Sequence, residues 1–326
     1  MKLFSKHRLF YFFSLIFFLS VIVHSPWAQA AEDFPKRPIK IYIGFPPGGS
    51  TDAPMRILAE QAATILGQPI IIENKTGAGG TLAPLQLQNA KNDGYTLALA
   101  PISLYRMPFV TNFQMDPLND LSYIIGLTGY AFGIVVPASS PFHTFAELVA
   151  YAQEQPISYG TAGPLTSNHL TMEQIAEHTG MQVEHIPYKG AAESINAVLG
   201  EHVDASAEVS AWVPHVQDGK LRLLVVWSDQ RLKSFPEVPT LKELGIDLVQ
   251  TSPWGLVAPK GTDPAIIQKL HDAFKTAMDS PEFISMLDNY DMTPQYMDSA
   301  TFTQFAIDSS AEQKAILERL GLLASP

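Results

Sequence analysis

Ile39-Lys40-Ile41-Tyr42-Ile43-Gly44-Phe45-Pro46-Pro47-Gly48-Gly49-Ser50-Thr51-Asp52 is the stretch whose reading decides the fold. Ile39 to Ile43 has the length and β-branched content of a strand, and Pro46-Pro47-Gly48-Gly49 must stop it. Asp52 or Thr51 can then cap a helix whose Ile57, Leu58, Ala62 and Ile65 share one side, until Gly67 ends it. Gln68-Pro69-Ile70-Ile71-Ile72-Glu73-Asn74 reads as a second strand, closed by the glycine loop Gly77-Ala78-Gly79-Gly80. A strand feeding a glycine turn and a helix start leaves free N–H groups at the carboxyl edge of a parallel sheet. An anionic group is the natural guest there. The plain alternative is that the glycines serve only a tight turn.

Upstream of this unit, Lys2, Lys6 and Arg8 precede an apolar run from Leu9 to Val23, and Ala28-Gln29-Ala30 presents small residues at cleavage positions. The pattern predicts a secretory signal peptide over 1–30 and export to the periplasm, the alternative being an uncleaved anchor. The apolar run is short for a membrane span. The chain has no cysteine, which excludes a lipoprotein anchor, a disulfide framework and a thiolate metal site. Losing the three leader cations would take the formal net charge from −11 to −14. Nucleic acid is therefore not an expected partner, and an anionic ligand must be held by local donors in a closed pocket against a repulsive field.

Downstream, Gly94-Tyr95 introduces a strand over 96–100, followed by the loop Pro101 to Arg106 at the same sheet edge as the Gly48-Gly49 turn. Ser103 lies in that loop, and Arg106 is placed to reach a ligand carboxylate there. A surface arginine paired with one of the many acids is the alternative. Gly133 to Val136 is a buried-type strand, with a helix predicted from Thr144 to Gln153. Ser158 to Gly163 repeats the opening logic, with Thr161, Thr166 and Ser167 as hydroxyls and a helix from about His169 to Thr179. Strands follow over 183–186, 204–207 and 221–227, with a turn at Pro187-Tyr188-Lys189-Gly190 and a helix from Ala191 to Leu199. Ser252 to Pro259 has the look of a crossing segment, and the chain ends in helices over 263–278, 281–289 and 301–320. Alternating strands and helices argue an α/β fold with a parallel or mixed sheet covered on both faces.

Enzyme motifs are missing: no G-x-S-x-G elbow, no H-E-x-x-H, no Walker lysine, no G-x-G-x-x-G after a strand. His169 beside the second glycine turn can donate to a ligand or serve packing and capping, and His185 reads as a satisfied core histidine. No histidine pair has metal-ligand spacing. Asp204 and Glu208 flank a short strand, but no nucleophile stands near them, so solvated or capping roles are the commoner reading. Trp212 and Trp254 read as packing residues, or as a pocket wall at a domain crossing.

Seven ordered motifs run through the chain: Phe45 to Asp52, Glu73-Asn74 with Gly77 to Gly80, Asp93 to Leu97, Tyr159-Gly160 through His169-Leu170, Pro187 to Gly190, Gly219 to Arg222, and Pro236 to Thr240. In this order they resemble the Bug family of periplasmic solute-binding receptors, the TctC-type components of tripartite tricarboxylate transporters. The resemblance implies a two-lobed, hinged, type II-like periplasmic-binding-protein fold with mixed sheets flanked by helices. Domain 1 would be 31–130 plus 253–326 and domain 2 would be 131–252. It implies a receptor, not an enzyme, that captures a small carboxylate between the lobes (a di- or tricarboxylate, an amino acid or an aromatic acid). Delivery would be to inner-membrane transporter subunits or a sensor kinase, by a monomer without cofactor or metal. Carried over residue by residue, Phe45, Gly48, Gly49, Ser50 and Asp52 would face Thr161, Gly163, Thr166 and His169, with Glu208 near the pocket. Arg106, Ser103 and Ser167 join this set from their own loops. Pro164-Leu165 departs from the family at a turn that usually holds another glycine, and proline has no N–H to offer. Lys75-Thr76 replaces the usual arginine and proline. The other readings are a ligand-responsive signalling partner, or a periplasmic hydrolase or isomerase using Asp204, Glu208 or His169.

Overall fold

Two mixed sheets divide the chain between them. The computed structural model describes residues 34–324, so the predicted signal peptide lies outside the described residues. The strands are β1 (Ile39–Ile43), β2 (Ile70–Asn74), β3 (Thr96–Ala100), β4 (Leu121–Thr128), β5 (Phe132–Pro137), β6 (Ile157–Thr161), β7 (Val183–Pro187), β8 (Ala205–Val209), β9 (Leu221–Val226), β10 (Trp254–Pro259) and β11 (Pro294–Met297). The longer helices are α1 (Asp52–Leu66), α2 (Phe145–Glu154), α3 (Ser167–Thr179), α4 (Ala191–Leu199), α5 (Pro264–Met278), α6 (Pro281–Asp288) and α7 (Ser299–Arg319).

The first sheet runs in the order β11-β4-β10-β3-β1-β2 and the second β7-β6-β8-β5-β9. β1 lies parallel to β2 and β3, while β10 returns antiparallel between β3 and β4. In the second sheet β6 is parallel to β7 and β8, and β5 is antiparallel to β8 and β9. The parallel strands of each sheet need helical crossovers, and the turn that starts each crossover helix sits at the carboxyl edge. The chain leaves the first sheet after Thr128 and returns at Trp254. Where the two connections pass, the Tyr130 N–H donates to the Thr251 carbonyl at 2.7 Å.

Each sheet has its own apolar filling. In the second, Phe132 stacks on Trp227 at 5.3 Å, and Trp212 is wholly buried against Phe235. In the first, Tyr123 meets Phe302 of α7 edge-on at 5.1 Å. α2 begins at a full capping box, Thr144 accepting from the Glu147 N–H and Glu147 reaching back to the Thr144 N–H. The predicted helices all form, within one to two residues at their ends. Three strands escaped the sequence: β4, whose run Leu121 to Thr128 is interrupted by Gly126; β10, which read only as a crossing segment but lies inside the first sheet; and the four-residue edge strand β11. Gly126 reads as a breaker, yet its missing side chain admits Met297 of β11, whose atoms would stand 2.5 Å from a β-carbon there.

The opening unit is held by a close backbone approach. A β-carbon on Gly44 would lie 1.9 Å from the Gly80 carbonyl oxygen, so the β1 turn and the glycine loop at 77–80 touch only because neither has a side chain. Gly44→Ala is expected to lower the thermal unfolding midpoint by several degrees, a cost of about 1–3 kcal/mol as for other overpacked sites. Differential scanning calorimetry checks it; an unchanged midpoint would return these glycines to the role of ordinary turn residues.

Candidate ligand-binding cleft

The carboxyl edges of the two sheets meet over a cavity of about 50 Å³, room for a few waters or the head of a small acid. From the first sheet's side come Phe45, Gly49, Ser50, Thr51 and the loop residues Ile102 and Ser103. From the second come Ala162, Thr166, Ser167, Asn168, Ala191 and Ala192, while Tyr130 and Ser252 close the cavity where the chain crosses.

The first wall is the start of α1, and its cap is missing. Thr51 stands at the N-cap position in a helical conformation with no side-chain bond to the first turn. Its hydroxyl is instead paired with Tyr130 Oη at 2.7 Å. Asp52 is the first helical residue and does not cap; its Oδ2 accepts from the Gly48 N–H at 3.0 Å and from Arg56 Nε at 2.8 Å, and its Oδ1 from Asn74 Nδ2 at 2.8 Å. Burial pushes the Asp52 carboxyl up, but the bonds from Arg56, Asn74 and Gly48 together hold it below the usual carboxylate range. The N–H groups of Gly49, Ser50 and Thr51 take no protein acceptor among the described residues. Ser50 Oγ is buried at this wall without a partner.

The second wall repeats the device twice. α3 starts at Thr166, which accepts the His169 N–H, and α4 starts at Gly190, with Ala191 and Ala192 on the cavity. The first N–H groups of a helix have no intrahelical acceptor. Three helix starts thus converge on one small volume, each bringing a partial positive charge. The turn before α3 solves the absent glycine in its own way: Leu165 takes φ +56°, the left-handed conformation a glycine would adopt freely. Its N–H donates to His169 Nδ1 at 3.1 Å, and its carbonyl accepts from Arg106 Nη1 at 2.7 Å.

Of the residues singled out in the sequence, Phe45, Gly49, Ser50, Ser103, Thr166 and Ser167 border the cavity. Gly48, Asp52, Thr161, Gly163 and His169 stand behind it and hold the turns. Thr161 Oγ1 bonds His185 Nε2 at 2.6 Å, and the His185 ring stacks on His169 at 4.0 Å. His185 is satisfied as expected, though it is half-buried on the edge strand β7, not in the core. Arg106 does not border the cavity; it bonds Leu165 and Ser167 instead. Glu208 is wholly buried behind Asn168, with Oε2 accepting from Asn168 Nδ2 at 2.9 Å and from the Val209 N–H at 3.0 Å, and Oε1 unpartnered. Asp204 accepts from the Ser158 N–H and hydroxyl and is structural. Sequence reading passed over Asn168, Ala191, Ala192, Tyr130 and Ser252 as cavity residues. The strand–glycine–helix run from Val183 to Leu199 was the signal for the two alanines, a third copy of the opening pattern. No group of three metal-ligating side chains gathers among the described residues.

Burial sets two opposed titrations behind the second wall. It drives the Glu208 carboxyl up to about 8 and the His185 ring down to about 4, with His169 lowered as well. The unfolded chain releases the Glu208 proton above about 4.5 while the fold keeps it, so that contribution is lost as pH rises from 4.5 toward 8. The unfolded chain protonates His185 below about 6.5 while the fold resists, so that contribution is lost as pH falls from 6.5 toward 4. Glu208→Gln is expected to stabilise the protein at pH 8 by about 1–3 kcal/mol and to leave it unchanged near pH 4.5. His185→Gln is expected to flatten the acid limb. Chemical denaturation across pH measures both, and parallel curves for wild type and variants would refute the assignment.

The profile of the tripartite tricarboxylate transporter family receptor, TctC, matches residues 55–322. A Cupriavidus necator protein described as "UPF0065 protein in gbd 5'region" is 55% identical over 298 residues, 90% of this chain and 91% of the relative. Among solved structures, the periplasmic binding protein BugD superposes with a TM-score of 0.85 at 25% identity, covering 90% of this chain and 100% of that one. The Rhodopseudomonas palustris protein MatC, solved with bound malate, shares the fold at TM-score 0.81 and 24% identity, covering 87% of this chain and 100% of that one. With the profile spanning most of the sequence and close kinship along nine tenths of it, the chain belongs to the receptors of the tripartite tricarboxylate transporter family.

Proposed function

We propose that this receptor binds a small carboxylate between two lobes, residues 31–130 plus 253–326 and residues 131–252, hinged where the chain crosses at Tyr130 and Ser252. The observation that carries the reading is the convergence of three uncapped or partly capped helix starts, with the unpartnered Ser50 hydroxyl, on one cavity of a chain with net charge −11. An open basic groove would not serve such a chain; a closed cradle of amides does. Phe45, Gly49 and Ser50 hold the acid from one side and Thr166 and Ser167 from the other, so the ligand touches both only when the lobes close. The chain is a receptor and not an enzyme, as its family is. Export on the leader at 1–30 would place it in the periplasm as a monomer that hands its ligand to membrane transporter subunits. Signalling to a sensor kinase is the second use of the same closure.

Isothermal titration of ligand-stripped protein against citrate, malate, adipate and benzoate is expected to find at least one binder. Malate is the first to try, being the acid in the MatC structure. Ser50→Ala should weaken that binder about fivefold to tenfold, the loss of one hydrogen bond. Silence across the panel, or an unaltered affinity in Ser50→Ala, would remove the reading.

A further inference from the structure

Arg106 is a cation buried to 1% exposure; among the described residues no carboxylate bonds to it, Glu312 acting on it only through its charge. Its Nη1 donates to the Leu165 carbonyl at 2.7 Å, its Nη2 to Ser167 Oγ at 3.2 Å, and its Nε has no acceptor. Ser167 Oγ continues to Ser252 Oγ at 2.5 Å. The side chain therefore starts in the β3 loop of the first sheet, crosses the cleft, grips the turn before α3 in the second, and is wired through one hydroxyl to the crossing segment that precedes β10. Both ends of this chain of bonds are strained: Leu165 has φ +56° and Ser252 φ +46°, neither being glycine. Side-chain-bearing residues stay in that conformation only where their surroundings over-determine it. Burial lowers the guanidinium only to about 9, so it keeps its charge at neutral pH.

A buried cation bonded solely to neutral groups is a poor device for stability alone, because desolvation opposes it. It becomes useful if the bonds exist in one arrangement of the lobes and are exchanged for water in the other. We infer that Arg106 is a clasp: it fastens the closed arrangement by gripping Leu165 and Ser167 across the cleft, never meets the ligand, and so sets how much of the receptor is competent to hold any ligand. The inference rests on the hinged reading above. A residue that biases closure changes the apparent affinity for every ligand by the same factor, whereas one that neutralises ligand charge acts in proportion to that charge.

Two arms test it on the mature protein. In the first, small-angle X-ray scattering of ligand-stripped wild type, Arg106→Met and Arg106→Lys is compared. Arg106→Met is expected to have the larger radius of gyration, and Arg106→Lys, which keeps the charge but only a point donor, to fall between. In the second, citrate, malate and benzoate are titrated into each variant, with an expected affinity loss of about tenfold or more for Arg106→Met that is equal for all acids that bind. If Arg106→Met fails to fold, Arg106→Lys alone decides by the same two readouts. Identical radii of gyration in folded variants would overturn the clasp, as would a loss that grows from benzoate to citrate. Should no acid in the panel bind, the carboxylate reading fails while the scattering arm still decides on the clasp.

Discussion

Backbone N–H groups that the chain cannot satisfy internally are the constraint on which this structure turns. Buried donors without acceptors are costly, and helix starts carry several of them. Here α1, α3 and α4 begin around the same 50 Å³. The side chain that ought to cap α1 is tied up elsewhere, Thr51 being paired to Tyr130. The N–H groups this leaves unmet at the start of α1 are the donors that the proposed acid would use. The chain's excess of acids makes this arrangement more necessary, because long-range attraction cannot supply the affinity that local dipoles do.

Two buried ionisable groups flank the second turn, and each is tolerable for a different reason. Glu208, 0% exposed, lowers its cost by holding its proton near neutrality. In that state it adds no negative charge behind Asn168, where a carboxylate ion would repel an anionic guest. Arg106 keeps its proton at neutral pH and meets its cost with carbonyl and hydroxyl acceptors.

Much of the fold was legible because strand and turn signals are local. Ile39–Ile43, the left-handed Gly67 and the proline-led helices α5 and α6 follow from residues that sit side by side in the chain. β4 was not legible, since Gly126 breaks a run that only its distant neighbour Met297 completes. The cavity residues divide the same way. Ser50 and Thr166 announce themselves by standing at glycine turns, whereas Tyr130 and Ser252 reach the cavity through a crossing that links residues over a hundred positions apart. Arg106 stands at the sheet edge as expected, and nothing in the β3 loop reveals that its guanidinium would bond the Leu165 carbonyl there.

A cradle built from main chain has an evolutionary side. Amides are the same in every residue except proline, so substitutions at Gly49 or along Ala191 to Ala192 would alter the shape of the proposed grip more than its chemistry, whereas Ser50 adds a hydroxyl of its own. Recognition of the acid head can therefore persist through sequence drift. The apolar neighbours Ile102, Phe132 and Val209 also face the cavity and would meet the part of a ligand beyond its acid head.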